Sequence, residues 1–439
     1  MNTPVTLYRD LFTELEKSLP GYDSLPLRGL RQEGMQHFMD KGFPSQRLEN
    51  WKYTPVKAIS QKIYHINNHA CQGLDPSDLL PYLIAPLGVY RLVFVNGWFS
   101  QTLSDLHDLP DGVRVESMAK LVKDAPDMLE PYLKNKKSGS DQGFTHLNDA
   151  LWSDGAYIHL SPGTRLERPL HLFFLTATSK KSMMTLPRNI VVAGADSHAW
   201  IVESFASLGH FPHMTNAHST IILHDHAHVH HLLHLGENHS AQHVGTVEST
   251  QKGDSRLDSQ LFSFGGERTR QEIHVQLAGE QAECSLDGLF IGNGRQHMDF
   301  HTSIHHTHAN TRSQQLYKGI LAGHAHGVFN GIITVPPHVH HTQSNQLSTN
   351  LLLSDTAEID TKPQLEINSD AVQCSHGATV GSLDPEALFY LQSRGLDAST
   401  ARNLLIQGFA EELLQRITPK LVQNWIEKHF NKGEYHHES

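Results

Sequence analysis

Short apolar stretches of strand length dominate the middle of the chain. They begin at residues 89–95, and between about residues 155 and 368 one recurs every ten to fifteen residues. Further examples are residues 156–160, 189–192, 219–223 and 331–335. Helical patterns are almost absent from this part, and such even spacing is typical of a sandwich, a barrel or a parallel β-helix.

The connections between these stretches favour the β-helix. Sandwiches and barrels usually join paired strands by Asn-Gly or Asp-Gly turns. Here those dipeptides are few, and neither Asp154-Gly155 nor Asp287-Gly288 separates two matched strands. Single glycines, asparagines and His-rich polar turns recur instead, as between the stacked turns of a solenoid. The sequence therefore predicts a mainly β protein with an irregular parallel β-helix core.

Helical patterns precede this core. Near the start, leucines at four-residue spacing lead up to the breaker Pro20-Gly21, which predicts a small helical unit. The polar and aromatic turn at residues 47–53 is interpreted as local packing. We predict a helical N-terminal domain over residues 1–85 and a β-helix core over residues 86–370, the latter with a helical insertion and a flexible loop near 118–143.

Helical patterns also follow the core, and we predict a helical C-terminal domain over residues 371–439. Asp384 can cap a helix with Pro385 at its first position, and Gly395 is placed to end it. A second helix is expected after Ser399. Its apolar positions recur at three and four residues and need a packing partner. A third helix is expected from Thr418-Pro419 to near Phe430.

Composition excludes several classes of function. A formal net charge of −11, without a long basic run, argues against nucleic-acid and anionic-membrane partners. The three cysteines are far apart in the sequence, which suits a reducing compartment. Apolar stretches are too short to span a bilayer, and the start does not read as a signal peptide. We expect a cytoplasmic protein with a protein partner or a small ligand.

Several catalytic motifs are absent from the sequence. It holds no Gly-x-x-x-x-Gly-Lys-Ser/Thr segment for a nucleotide triphosphate and no Gly-x-Ser-x-Gly segment for a nucleophilic serine. It also holds no Cys-x-x-Cys pair, so four thiolates for an iron–sulfur cluster are not available from this chain alone. We expect a protein that is not an enzyme, with any ATP hydrolysis carried out by a partner.

The chain carries 34 histidines, an unusual number. Several form pairs at strand spacing, which puts imidazoles on one face of a strand: His224/His226/His228/His230, His324/His326 and His338/His340. If strands stack as turns, successive pairs form a ladder that can bind a divalent metal. One strand supplies only two ligands, however, and a solvated polar face is the alternative interpretation.

One further segment, residues 371–381, combines a thiol with an imidazole. Cys374 and His376 lie at positions i and i+2 between the last predicted strand and the first C-terminal helix. On an extended segment they face the same way, which suits joint metal ligation or activation of the thiolate. A buried structural cysteine is the alternative. Cys71 and Cys284 have no such neighbour, and we interpret both as packing residues.

Several longer stretches carry a family resemblance. Residues 360–367, 374–381 and 388–395, with 147–151, 317–319 and 329–331 upstream, resemble the SufB/SufD family of the SUF iron–sulfur cluster assembly system. The segment Cys-Ser-His-Gly-Ala-Thr at 374–379 is similar to the SufD branch of that family, whereas SufB typically has Glu-His-Glu-Ala-Thr there. The resemblance covers most of the chain.

The resemblance implies a right-handed parallel β-helix that pairs with SufB, and C-terminal helices that contact the ATPase SufC. It implies no tightly bound cofactor but a transient iron–sulfur cluster, or iron, shared with the partner at the SufB/SufD interface. Cys374 and His376 are then the candidate site, with His376 as the metal ligand. The isolated chain is also a candidate homodimer.

Two rival functions stay open at this point. The first is a metal-dependent β-helix enzyme that acts on carbohydrate through His and Asp/Glu side chains along the solenoid. The second is a plain interaction scaffold in which the cluster chemistry belongs wholly to SufB.

Overall fold

The computed structural model describes residues 4–62, 64–67, 73–85, 88–134, 143–177 and 182–432. Cys71 and part of the predicted flexible loop, residues 135–142, lie outside these ranges. The helices are α1 Pro4–Leu15, α2 Leu25–Lys41, α3 Lys57–Ser60, α4 Pro76–Leu79, α5 Met118–Asp124, α6 Glu130–Lys134, α7 Gly143–Leu151, α8 Pro385–Ser393, α9 Ala398–Leu414 and α10 Lys420–Phe430.

The described ranges contain twenty strands, with α5, α6 and α7 between the third and the fourth. They are β1 Tyr90–Val95, β2 Trp98–Phe99, β3 Val113–Ser117, β4 Ala156–Leu160, β5 Leu170–Ala177, β6 Met183–Thr185, β7 Arg188–Ala193, β8 His198–Leu208, β9 His213–Leu223, β10 His228–Gly236, β11 Gln242–Gln251, β12 Arg256–Ser263, β13 Arg268–Leu277, β14 Glu283–Gly292, β15 His297–His306, β16 Arg312–Leu321, β17 His326–Val335, β18 Thr342–Leu352, β19 Glu358–Ile367 and β20 Val372–Gly381.

From β8 onward the strands alternate between two parallel sheets, so each turn of the solenoid adds one strand to each sheet. Sheet 1 has the order β2-β1-β5-β8-β10-β12-β14-β16-β18-β20, and sheet 2 runs from β19 through the odd-numbered strands down to β7, then β4 and β3. The result is a parallel β-solenoid of about seven turns. The predicted mainly β fold with a β-helix core and helical flanks is confirmed.

One corner of the solenoid repeats a left-handed residue in successive turns. Six non-glycine residues there have φ between 52° and 60°: Asp196, His226, Asp254, Gln281, Asn310 and His341. Each donates its backbone N–H to a carbonyl of the following turn, at 2.7 to 3.4 Å. Asn, Asp and His are enriched at positive φ among residues with a side chain. Two histidines therefore have a conformational role in these turns.

Apolar side chains fill the space between the two sheets. Phe94, Phe174 and Phe205 stack there with ring centroids 4.9 and 4.8 Å apart. Cys284 is buried in the same cluster, as predicted for a packing residue. Because stacked turns repeat at strand spacing, equivalent side chains from neighbouring turns touch along the whole solenoid.

The C-terminal helices α9 and α10 pack on the outer face of sheet 1. Ile406, Leu413 and Ile426 share one buried cluster with Leu232 and Phe262 of the sheet. Arg416 also donates to Asp287 Oδ1 at 3.1 Å. The predicted apolar stripe of the second C-terminal helix thus has its partner within the chain.

The first C-terminal helix has the predicted ends. The side chain of Asp384 accepts a hydrogen bond from the N–H of Glu386 at 2.9 Å, and Gly395 follows with a φ of 94°. The interpretation of residues 371–381 as a connection after the last strand is wrong. Residues 372–381 are themselves strand β20, because the sheet continues for one more turn.

The turn at residues 47–53 packs, as predicted, but its contacts also reach sheet 2 and are not confined to neighbouring residues. The guanidinium of Arg270 lies 3.8 Å from the ring centroid of Trp51, and the hydroxyl of Thr54 donates to Asp299 at 2.5 Å. Arg270 also pairs with Asp299, and both are buried. Removing one partner would leave an uncompensated buried charge.

Two fully buried histidines make the fold sensitive to acid. Burial, followed by nearby positive groups, lowers the pKa of His171 to about 3 and that of His306 to about 4. In an unfolded chain histidine titrates near pH ~6.5, so below that pH the unfolded state binds more protons. The contribution of these two histidines to the free energy of unfolding is therefore fully present above pH ~6.5. It is lost as the pH falls from there towards their pKa values in the folded protein.

Between pH 7.5 and pH 5, each of these two histidines should lower the free energy of unfolding by about 2 kcal/mol. Urea denaturation at both pH values measures this difference, and His306→Gln should narrow it by about 2 kcal/mol. His338→Gln, in an exposed turn, is the matched control. An unchanged pH difference in His306→Gln would contradict the assignment.

Candidate functional site

Strand β20 carries both predicted site residues and is the last strand of sheet 1. Cys374 pairs with Ser344 of β18, and His376 pairs with Gln346. Both partners are buried and face the space between the sheets. Register partners in a parallel sheet point to the same face, so Cys374 and His376 lie side by side on the inner face of the terminal turn. The prediction that they face the same way is confirmed.

The two side chains differ in their surroundings. Cys374 is partly buried against a small apolar cluster that contains Ile333, Val335 and Val339, whereas His376 is exposed. Burial raises the pKa of the Cys374 thiol, although a backbone hydrogen bond at Ser344 acts in the opposite direction. The thiol is therefore mostly protonated at neutral pH, and a metal or a base would have to remove its proton.

The solenoid interior becomes polar next to this site. On β14 the inward positions are Cys284, Leu286, Gly288 and Phe290, and two turns later on β18 the same columns hold Ser344, Gln346, Ser348 and Asn350. A polar lining is costly to bury unless each group is hydrogen-bonded. The inner face of sheet 1 is thus polar near the end that carries β20 and apolar in the middle of the solenoid.

Several of these polar groups lack a hydrogen-bond partner among the residues that the structure describes. Both polar side-chain atoms of Gln346 and the side-chain oxygen of Asn350 are buried without one. The backbone makes room for Gln346, because a Cβ at Gly331 would lie 1.6 Å from its Nε2 atom. The chain therefore maintains an unsatisfied polar cluster directly beside Cys374 and His376.

The terminal turn also leaves backbone groups and apolar side chains uncovered. β20 pairs with β18 on one side and is the end of sheet 1 in the described chain. An unpaired strand edge is a template for a strand from another chain. Beyond it, α8 has no buried residue, and Phe389 and Tyr390 are 72% and 57% exposed. These two adjacent rings make α8 a candidate interaction surface.

Most of the predicted histidine pairs do not lie on strands. His224, His226, His324, His338 and His340 lie in turns, so the expectation of shared strand faces is wrong for them. His228 and His230 do share the outer face of β10. Together with His198 of β8 they form the one group of three or more potential metal ligands found in the described ranges. Sequence spacing missed His198 because it belongs to the preceding turn.

A cleft of about 660 Å³ lies on the outer face of sheet 2, where Glu248, Glu272 and His274 contribute to its lining. Burial alone would raise the pKa of Glu272, but the charge of Arg270 and the hydrogen bond from His274 hold it well below its usual range. Glycoside hydrolysis requires a protonated carboxyl as general acid. Glu272 does not supply one in this cleft.

Cys374 should react with iodoacetamide in the native protein, and Cys284 should react only after denaturation. Cys284 is fully enclosed and burial raises its pKa far above the ordinary value, while Cys374 is partly exposed. Peptide mass mapping after alkylation at pH 8 identifies each modified cysteine. Cys374→Ser should remove the alkylated peptide of this position and leave the alkylation of Cys284 after denaturation unchanged. Equal native rates at both cysteines would contradict this geometry.

Two family models match the chain. Residues 174–409 match the model described as SUF system FeS cluster assembly, SufBD core domain, and residues 3–172 match the SufBD protein N-terminal region. Within the described ranges, no helix is both long and apolar enough to cross a membrane.

Curated relatives show the same likeness over most of their length. A SufBD family protein of Synechocystis is 32% identical over 85% of this chain and 84% of its own. The Escherichia coli iron–sulfur cluster assembly protein SufD is 32% identical over 88% of both chains. The chloroplastic protein ABCI7 of Arabidopsis thaliana is 28% identical over 95% of this chain and 89% of its own. The chain therefore belongs to the SufBD family of the SUF system for iron–sulfur cluster assembly.

Proposed function

We propose that this chain is a non-ATPase scaffold subunit of the SUF iron–sulfur cluster assembly complex, corresponding to SufD. In this proposal it pairs with SufB, binds the ATPase SufC and supports iron acquisition and cluster assembly at the SufB/SufD interface. The observation that carries it is the terminal turn of the solenoid, where Cys374 and His376 lie at an open strand edge beside unsatisfied polar groups.

Pairing with SufB through the terminal turn is supported by the free edge of β20. A strand added there would satisfy backbone groups that face solvent in the described chain. A partner surface would also bring hydrogen-bonding groups to Gln346 and Asn350. Buried polar groups without hydrogen-bond partners are costly. Hydrogen bonds from a partner to these side chains would therefore stabilise the complex.

Cys374 and His376 would supply part of a shared site. A neutral imidazole and a thiolate are both suitable iron ligands, but the two side chains fill only two coordination positions. No group of three potential ligands forms around them in the described residues. The remaining ligands would come from SufB or from the incoming cargo, so that iron or a cluster is held transiently as substrate and not as a resident cofactor.

Binding of SufC through the C-terminal helices is supported by α8. Phe389 and Tyr390 project from it into solvent, and this family member carries no P-loop of its own. Only three residues separate Gly381 at the end of β20 from Pro385 at the start of α8. A displacement of α8 during the ATPase cycle would therefore pull directly on the strand that carries the site.

His376→Ala should abolish or strongly reduce cluster assembly while the complex still forms. The side chain is exposed, so its loss creates no cavity and should leave the unfolding free energy within about 0.5 kcal/mol. Cluster formation on the reconstituted complex, followed by visible absorbance and iron content, measures the effect. Gln373→Ala, on the outward face of the same strand, is the matched control.

The outcomes separate the alternatives. Loss of complex formation or of folding in His376→Ala would favour a structural role for this histidine. Normal cluster yield in both His376→Ala and Cys374→Ala would favour the plain scaffold, with the chemistry wholly on SufB.

Phe389→Ser combined with Tyr390→Ser should weaken capture of SufC at least tenfold, because the two exposed rings would otherwise be buried in the interface. Binding of purified SufC to the immobilised chain measures the change. Leu25→Ser, at an equally exposed leucine of the N-terminal part, should leave SufC binding unchanged. Unaltered binding by the double variant would contradict the assignment of α8 as the contact.

A further inference from the structure

The outer face of sheet 1 is divided into two halves along the strand direction. α9 and α10 cover the second half of the strands, where Leu232 and His234 are buried. The first half carries His228 and His230 of β10 beside His198 of β8, all at intermediate exposure. Trp200 stands at the boundary, where its indole N–H donates to Thr418 at 3.4 Å. The three histidines therefore lie at the rim of the helical layer.

The three imidazoles converge at this rim. One potential ligand atom from each lies within 4.8 Å of the others. The ring centroids of His228 and His230 are 4.1 Å apart, and those of His198 and His228 are 5.1 Å apart. Donor atoms around a tetrahedral zinc ion lie about 3.4 Å apart.

A carboxylate from a third strand contacts two of the three rings. Oδ2 of Asp258 on β12 lies 2.8 Å from Nε2 of His228 and 3.3 Å from Nδ1 of His230. The register explains this convergence, because His230 pairs with Trp200 on one side and with Asp258 on the other. Three imidazoles and one carboxylate are a ligand set that zinc accepts. Side-chain exposures of 29% for His228 and 23% for His230 leave a path for the ion.

The immediate surroundings are compatible with a bound cation. Trp200 stacks on His230 with an interplanar angle of 5° and a centroid distance of 5.0 Å, which fixes the orientation of that ring. The guanidinium of Arg256 bonds Asp258 but is 53% exposed, so it can swing into solvent when an ion arrives.

We propose that His198, His228, His230 and Asp258 form a binding site for a divalent transition-metal ion on the outer face of sheet 1. Nitrogen donors with one carboxylate suit zinc and its neighbours in the first transition row and do not suit magnesium or calcium. An ion there ties β8, β10 and β12 together, and so links three successive turns at the edge of the C-terminal helices. The site is separate from Cys374 and His376 and does not depend on the proposed role in cluster assembly.

Zinc binding to the full-length, tag-free chain tests the proposal, with a chromophoric chelator as competitor. The chain has 34 histidines, so weak additional binding is expected and the comparison between variants is decisive. His228→Ala with His230→Ala should remove one equivalent of the tightest zinc. His338→Ala with His340→Ala, a pair at the same sequence spacing in a turn, should keep it. Equal affinity and stoichiometry in both double variants would overturn the proposal.

Asp258→Asn and cobalt substitution test the geometry. Loss of an outer-shell partner typically lowers metal affinity about 10–100-fold, so loss of the carboxylate as a ligand should cost at least that much. Co²⁺ bound to the unaltered chain should give the visible absorption of a four-coordinate ion, and His198→Gln should weaken or shift it. A six-coordinate spectrum, or an Asp258→Asn affinity within threefold of the unaltered chain, would count against the site. Circular dichroism of the metal-free variants verifies that each has folded.

Discussion

The parallel hydrogen-bonded register between successive turns is the constraint on which the other features of this protein depend. From β8 to β18, each strand of sheet 1 is aligned residue for residue with its two neighbours in the sheet. A side chain is thereby placed in a column with residues about 28 positions away in the sequence. The apolar lumen, the polar terminal turn and the histidine cluster are all sets of residues brought together in this way.

The register also explains why the two ends of the solenoid differ. The backbone groups of an inner turn are hydrogen-bonded to the turns on both sides, whereas a terminal turn exposes one row of its backbone groups. At the end formed by β20 the chain fills only part of the space between the sheets with apolar side chains. It places serine, glutamine and asparagine there and keeps a cysteine and a histidine beside them. Such a terminus costs stability in the isolated chain, and a partner that covered it would offset that cost.

The unusual histidine content serves several physical purposes. His226 and His341 occupy left-handed turn positions, where few side chains other than Asn, Asp and His are accommodated. His171 and His306 are buried as neutral hydrogen-bonding groups. His198, His228 and His230 converge at the surface. The high number of histidines therefore does not indicate a single function. The position of each histidine within its turn of the solenoid decides which of these roles it has.

The sequence by itself determined the class of the core, the helical flanks, the caps of α8 and the pairing of Cys374 with His376 on one face. These follow from local rules, since strand alternation, helix capping and the i, i+2 relation involve residues that are close along the chain. The tertiary structure decided that residues 372–381 are a strand, that Trp51 anchors the N-terminal part to Arg270, and that His198 and Asp258 join His228 and His230. Those contacts depend on which residues share a column across turns of irregular length, and spacing along the chain does not contain that register.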